Sequence, residues 1–254
     1  MSDDTGYYAP VPARVGRIVS LVPSLTESVA ATVPEALVGA TDWCSHPADL
    51  DVARVRGTKN PDLAAVAALR PDVVLANFEE NRAQDLAALR AAGLAVWVTR
   101  IRTVEEAFTS LARMFEHACR VERPAWLDAA ERAWDLPEPA VRRTAVVPIW
   151  RRPWMVVGRD TFAGDVLRRL GVDNLYAHHP ERYPKIPLPE LVDRDPDLVV
   201  LPDEPYAFSS ADGPECFPGL RCALVSGRLL TWYGPSLITA PAELTRSLTD
   251  TPPG

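Results

Sequence analysis

Apolar residues along this chain gather into short unbroken runs, separated by amphipathic stretches. Ile18–Val22 is one such run, rich in β-branched residues and without polar alternation, which predicts a strand buried on both faces. Pro23 and Ser24 then open a helix, with Ser24 as N-cap and Glu27 as its capping-box partner. Leu37–Ala40 predicts a second strand. Leu63–Leu69 is helical, Pro71 ends it, and Val73–Ala76 is the next buried strand. Arg82–Ala91 predicts another helix, closed by Gly93, before a strand at Leu94–Val98. Strand and helix alternate throughout, the pattern of a mainly parallel sheet with helices on both faces.

Thr103 and Glu106 form a second capping box, opening a helix to about Arg120. Pro124 starts a further helix to about Trp134, and Pro137 and Pro139 mark a boundary. The second half repeats the plan, with a strand at Thr144–Ile149 and a helix at Phe162–Leu170 closed by Gly171. An internal repeat supports two lobes of like topology. Arg70-Pro71-Asp72 leads into Val73-Val74-Leu75, and Asp195-Pro196-Asp197 leads into Leu198-Val199-Val200, each between a helix and an acidic loop.

Ligands of open α/β sheets bind beyond the carboxyl ends of the strands. In the first half those places hold Trp43, Cys44 and His46, the GTKNPD loop with Thr58, Lys59 and Asn60, and Asn77, Phe78, Glu79, Glu80 and Arg82. In the second half they hold Trp150, Arg151, Arg152 and Trp154, then Tyr183 and Lys185, Glu204 and Tyr206, and Trp232 and Tyr233. Four of the seven tryptophans fall there. Flat rings with a few convergent polar groups describe a pocket for a small organic ligand. Cys44 and His46 are candidate metal ligands, with Glu79 or Glu80 able to join them. His178-His179 is a weaker candidate. No GxSxG, HExxH or phosphate loop occurs, so no catalytic motif is in evidence.

Composition narrows the classes. A net charge of −7 argues against a nucleic-acid partner. No apolar run approaches the ~20 residues a membrane span needs. Asp3 and Asp4 are the first charges and no apolar leader core follows, which predicts a cytoplasmic protein. The four cysteines show no CxxC spacing and are expected as free thiols. Among 27 basic residues only Lys59 and Lys185 are lysines, which singles out places where a compact ammonium is kept.

The segments RIVSLVPSLTESVAA, VGATDWCSHP, RPDVVLA, GLAVWV followed by TVEEA, and VGRDTFAGDVLRRLGVDNLY resemble the helical-backbone class of substrate-binding proteins. The nearest likeness is to the periplasmic cobalamin-binding proteins of ABC importers, and it extends over about 16–247. A leaderless subgroup matches more closely, through GTKNPDL, NFEENR, IWRRPWMVVGRDTF, EPY and WYG. The resemblance implies an α/β fold of two Rossmann-like lobes, residues 1–102 and 140–254. Mainly parallel sheets in each are joined by a helical backbone over 103–139, with a ligand cleft between the lobes. It implies a small-ligand binder that needs no cofactor and holds a corrinoid-like ligand, cobalamin or another metal chelate, without chemistry. Trp43, Tyr183, Trp232 and Tyr233 fall at or beside its cleft rings, whereas Thr58 and Asn77 stand near positions where rings are expected. Transported members dock their permease through one glutamate per lobe. Glu190 fits the second-lobe position but Ala64 stands at the first, so permease docking is not expected. A monomer or weak dimer is expected. Two other readings stand beside this one: a binder of a smaller polar or anionic ligand, favoured by Lys59, Asn60, Glu79, Glu80, Arg82, Arg151 and Arg152, and an enzyme using Cys44, His46 and Glu80.

Overall fold

The computed structural model describes residues 1–250. They divide into two units. The first comprises 1–101, 105–129 and 233–235; the second comprises 102–104, 130–232 and 236 onward.

The first unit is built on strands β1 (Ile18–Ser20), β2 (Leu37–Ala40), β3 (Ala53–Arg54), β4 (Arg56–Gly57), β5 (Asn60–Pro61), β6 (Val73–Asn77) and β7 (Val96–Thr99). Five of them form a sheet of order β3-β2-β1-β6-β7, parallel throughout, while β4 and β5 make a separate small hairpin. Helices α1 (Pro23–Ala30), α2 (Leu63–Ala68) and α3 (Ala83–Ala91) intervene, and α4 (Val104–Arg113) and α5 (Ala125–Ala133) follow. Val19, Val74, Ala76, Val96 and Val98 from the sheet, with Leu21 just past the end of β1, close a core with Val66, Leu86 and Leu89 from the helices. Gly39 in β2 leaves room for Leu69, whose side-chain tip would lie 2.6 Å from a Cβ there and would have to shift.

One helix start differs from the sequence reading, and another, at Leu63, agrees with it. In α1 the N-cap is Val22, in extended conformation, with Pro23 as the first helical residue and no side-chain cap. Proline is pre-set for that position, so Ser24 lies inside the helix and Glu27 is buried. In α2 the cap is Asp62, whose carboxylate accepts from the Ala65 amide at 3.0 Å. The predicted helix to Arg120 has the right extent, but its last six residues, Met114–Cys119, wind as a π-helix ended by Arg120 at φ +58°.

The second unit carries β8 (Arg143–Val146), β9 (Pro148–Trp150), β10 (Met155–Val156), β11 (Val172–Asn174), β12 (Leu198–Pro202) and β13 (Cys222–Val225). Its sheet has the order β11-β8-β12-β13 and is parallel. Helices α6 (Phe162–Arg169), α7 (Leu188–Asp193), α8 (Gly227–Thr231) and α9 (Ala240–Thr249) complete it. The predicted strand Thr144–Ile149 is broken. Pro148 has no amide to donate to a ladder, and from there the chain leaves the sheet to pair antiparallel with β10.

The internal repeat has a mechanical meaning. Arg70 and Asp195 both take left-handed backbone, at φ +46° and +48°, just before the prolines. The aspartates after the prolines then tie down the start of the neighbouring strand. Asp72 Oδ2 accepts from the Gly16 and Arg17 amides at 2.8 and 2.9 Å. Asp197 Oδ2 accepts from the Thr144 amide and hydroxyl at 2.7 and 2.8 Å, bonds that hold its carboxyl below the usual range.

The N-terminal residues are part of the first unit. The buried Asp3 carboxylate accepts from the amides of Thr5, Tyr7 and Val98 at 2.9, 3.0 and 3.2 Å and pairs with Arg90 at 3.2 Å. Asp4 accepts from the Arg100 amide at 3.0 Å and pairs with Arg113 at 2.5 Å. The acidic start is thus a pair of structural anchors. Among the described residues no helix is long and apolar enough to cross a membrane.

Candidate functional site

Both sheets have a switch point. In the first unit the chain runs outward from β1 through β2, then returns to β6 on the other side of β1; in the second, β8 lies between β11 and β12 in the same way. Loops at the carboxyl ends of such strands are where α/β sheets bind ligands. The loops after β6 and β12 carry Phe78–Arg82 and Glu204–Tyr206, and β9, which follows β8, ends at Trp150 with Arg151 next to it.

On the first unit, Trp43 stands in the turn after β2 with 69% of its surface exposed. Its indole nitrogen lies over Gly57 in the β4–β5 hairpin, 3.2 Å from where a Cβ would be. Thr58 and Lys59 form the hairpin tip. That tip is fastened to the loop after β6 at two points: the Asn81 amide donates to the Thr58 carbonyl at 3.0 Å, and Lys59 Nζ donates to the Glu79 carbonyl. Asn60 is exposed at the hairpin.

Asn77, expected to face a ligand, is buried instead. Its amide donates to the Thr99 carbonyl and hydroxyl, and its oxygen accepts from the Glu79 and Glu80 amides at 2.8 and 3.3 Å. It shapes the loop that Phe78, Glu79 and Glu80 occupy. Phe78 is 51% exposed, with the Arg100 guanidinium 5.0 Å over its ring. The sequence reading named it as a loop residue without a role; its place directly after a buried strand was the available signal. Glu80 is half-buried. Burial pushes its carboxyl up, the Lys59 charge pulls it back, and the Glu79 charge adds to the rise. Arg82 is exposed at the start of α3.

Cys44 and His46 diverge. The Cys44 sulfur is fully buried, 3.0 Å from the Thr26 hydroxyl and 3.2 Å from that of Thr41, and burial pushes its thiol up. His46 Nδ1 lies 3.2 Å from the Ser45 hydroxyl. Among the described residues no group of three His, Cys, Asp or Glu side chains is placed to hold a metal ion. The Cys44 thiol packs in the interior between the Thr26 and Thr41 hydroxyls.

On the second unit, Trp150 is 43% exposed and meets Tyr206 edge-on, centroids 5.7 Å apart. Arg151 is committed inward. Its Nη1 bonds both Asp212 and Glu215, the latter at 2.7 Å, and its guanidinium lies 5.6 Å from the Trp154 ring. The Tyr206 hydroxyl donates to the same Asp212 at 2.6 Å. Trp154 caps the core rather than facing out: it stacks on Phe208 at 6.0 Å and meets Phe217 edge-on at 5.4 Å. Glu204 packs against α8, where a Cβ at Gly227 would lie 2.4 Å from its side chain. Tyr183 is 38% exposed.

Trp232 and Tyr233 are buried, 8% and 6% exposed, so little ring surface faces out. Trp232 ends α8 beneath Arg228, and Tyr233 leads into Gly234, which packs closely on Glu27 and Ser28 of α1. Of the four tryptophans placed at strand ends, two present their rings to solvent and two do not. Glu190 lies on α7, where its carboxylate accepts from the Tyr176 hydroxyl at 3.3 Å, and Ala64 lies on α2.

The family described as periplasmic binding protein matches residues 18–212. The chain belongs to that family. The vitamin B12-binding protein of Photorhabdus laumondii is 23% identical over 254 residues, covering 96% of this chain and 90% of that one. Among solved structures, the periplasmic heme-binding protein BhuT in complex with two hemes superposes with a TM-score of 0.78 at 23% identity, covering 92% of this chain and 98% of that one. Helicobacter pylori Ceue with Ni(II) bound gives 0.82 at 14% identity, covering 98% and 88%. The α/β class with parallel sheets, expected from the pattern of runs, is the observed fold, and the periplasmic binding protein fold accommodates both units.

Proposed function

We propose that this periplasmic binding protein family member binds a flat metal chelate of the corrinoid or heme type and leaves it chemically unchanged. The observation that carries the reading is the pair of solvent-facing rings in the strand-end loops of the first unit, Trp43 and Phe78. Exposed rings of this size are costly to leave in water unless a ligand covers them, and a flat conjugated ligand covers them best. The relatives named for vitamin B12, heme and nickel binding support the same ligand class. Family members in hand are named for binding, which supports a role without catalysis. The four free thiols suit a reducing compartment, and fractionation of the host cell, with this protein recovered in the soluble cytosolic fraction, tests that placement.

An absorption titration tests the ligand. Cyanocobalamin and hemin are each added to the purified chain. A saturable band shift for at least one, accompanied by quenched tryptophan emission, is the expected result. Spectra that stay additive for both remove the proposal.

A further inference from the structure

Trp43 and Phe78 sit on different loops of the first unit, yet an unbroken chain of hydrogen bonds joins them. The turn that carries Trp43 is clasped by Arg54, whose Nη1 donates to the Thr41 and Cys44 carbonyls at 3.0 and 2.9 Å. The Asp42 amide donates to the Arg56 carbonyl of β4 at 2.9 Å, which ties this turn to the β4–β5 hairpin. At the hairpin tip the Thr58 carbonyl accepts from Asn81 Nδ2 at 3.0 Å. Nδ2 also donates to the Leu21 carbonyl, just past β1, at 3.3 Å. Asn81 Oδ1 accepts from the Asn77 amide at 2.9 Å, at the end of β6 and next to Phe78. Asn81 is thus the link between the two ring-bearing segments. Lys59 makes the same joint a second time, its Nζ donating to the Glu79 carbonyl.

We propose that Asn81 is the positioning residue of the ring site: through the hairpin and the loop after β6 it sets Trp43 and Phe78 in place before a ligand arrives. This rests on the proposed binding at those two rings. Asn81 is only 5% exposed, so it acts through the loops it holds and not by contact. Burying a primary amide costs free energy unless its donors and acceptor are matched, and apolar packing would join the loops without that cost. What a bonded amide adds is one defined geometry. Loops fixed in advance bind without the cost of ordering them, which is what a ring site on three separate loops needs.

Two variants test it. Asn81→Asp keeps the side chain's size and the acceptor for the Asn77 amide but loses both donors; Asn81→Ala removes all three bonds without burying a charge. In proton–nitrogen correlation spectra of the ligand-free protein, the Trp43 indole signal is identified by its absence in Trp43→Phe. Both variants are expected to shift or broaden that signal and to leave the Trp154 indole, packed in the second unit, unmoved. In absorption titrations with cyanocobalamin and with hemin, they should bind the probe that wild type binds about tenfold more weakly. An unmoved Trp43 indole in both variants overturns the proposal, even if affinity falls, because a general loss of stability would do that too. Wild-type affinity in both variants overturns it as well. If both fail to fold by circular dichroism, Asn81 serves the fold alone and the proposal falls. If wild type binds neither probe, the flat-chelate reading falls, and the indole signal by itself decides for or against Asn81.

Discussion

Removing the Trp43 ring separates a ligand-facing tryptophan from one that merely covers the core. With 69% of the residue exposed and a large aromatic side chain of about 200 Å², on the order of 150 Å² is open to a ligand. Covering all of it at about 25 cal/mol per Å² gives a ceiling of ~4 kcal/mol, and covering one face gives about 2 kcal/mol, or about thirtyfold in Kd. Trp43→Ala is therefore expected to weaken chelate binding about thirtyfold in a tryptophan-quenching titration. Its unfolding free energy from urea titration should stay within about 0.5 kcal/mol of wild type, as for an exposed side chain. Trp154→Ala is the control. That ring stacks on Phe208 and abuts Phe217, so its loss should cost about 2–4 kcal/mol of stability, the range for truncating a large packed side chain. Unchanged affinity in Trp43→Ala, or a stability loss there comparable to that of Trp154→Ala, would refute the reasoning.

Two further outcomes follow from named groups. Burial raises the Asp165 carboxyl, but the Val104 amide and the Arg168 and Arg169 guanidiniums outweigh it and hold it below its ordinary 3.8. A depressed folded value means stabilisation that is complete at neutral pH and fades as pH falls through the folded value. The stability gap between wild type and Asp165→Asn in urea titrations should accordingly be largest at pH 7 and shrink by pH 3; a gap independent of pH contradicts it. Asp3→Ala leaves three amides, of Thr5, Tyr7 and Val98, without their acceptor, and should cost about 2–3 kcal/mol. It should also speed hydrogen exchange at Val98, and unaltered exchange there would show the N-terminal anchor to be idle.

The sheets were legible because parallel strands buried on both faces must be continuous apolar runs. Ile18–Ser20, Val73–Asn77, Val96–Thr99 and Leu198–Pro202 are buried at every position. The repeat was legible as a pattern but not as a mechanism. That Asp72 and Asp197 tie down a neighbouring strand depends on pairing with residues 56 and 53 positions away. The break at Pro148 was written in the residue type and was overrun by the apolar pattern around it. At the site, sequence placed the loops correctly but not the direction of each side chain. Trp43 and Trp154 look alike in sequence, and what turns one out and the other in is the presence of Phe208 and Phe217 beneath the second. Arg151 looked like a ligand contact until Asp212, 61 residues on, claimed it. Phe78 went unselected because a lone phenylalanine gives no hint of exposure until the strand before it is known to be fully buried.

The central claim is that a flat metal chelate occupies this protein. Native mass spectrometry of the chain purified from its own host, under conditions that preserve complexes, tests it most directly. The account predicts a mass excess matching one metal-containing macrocycle, with the isotope pattern of its metal. A retained ligand that contains no metal would contradict it.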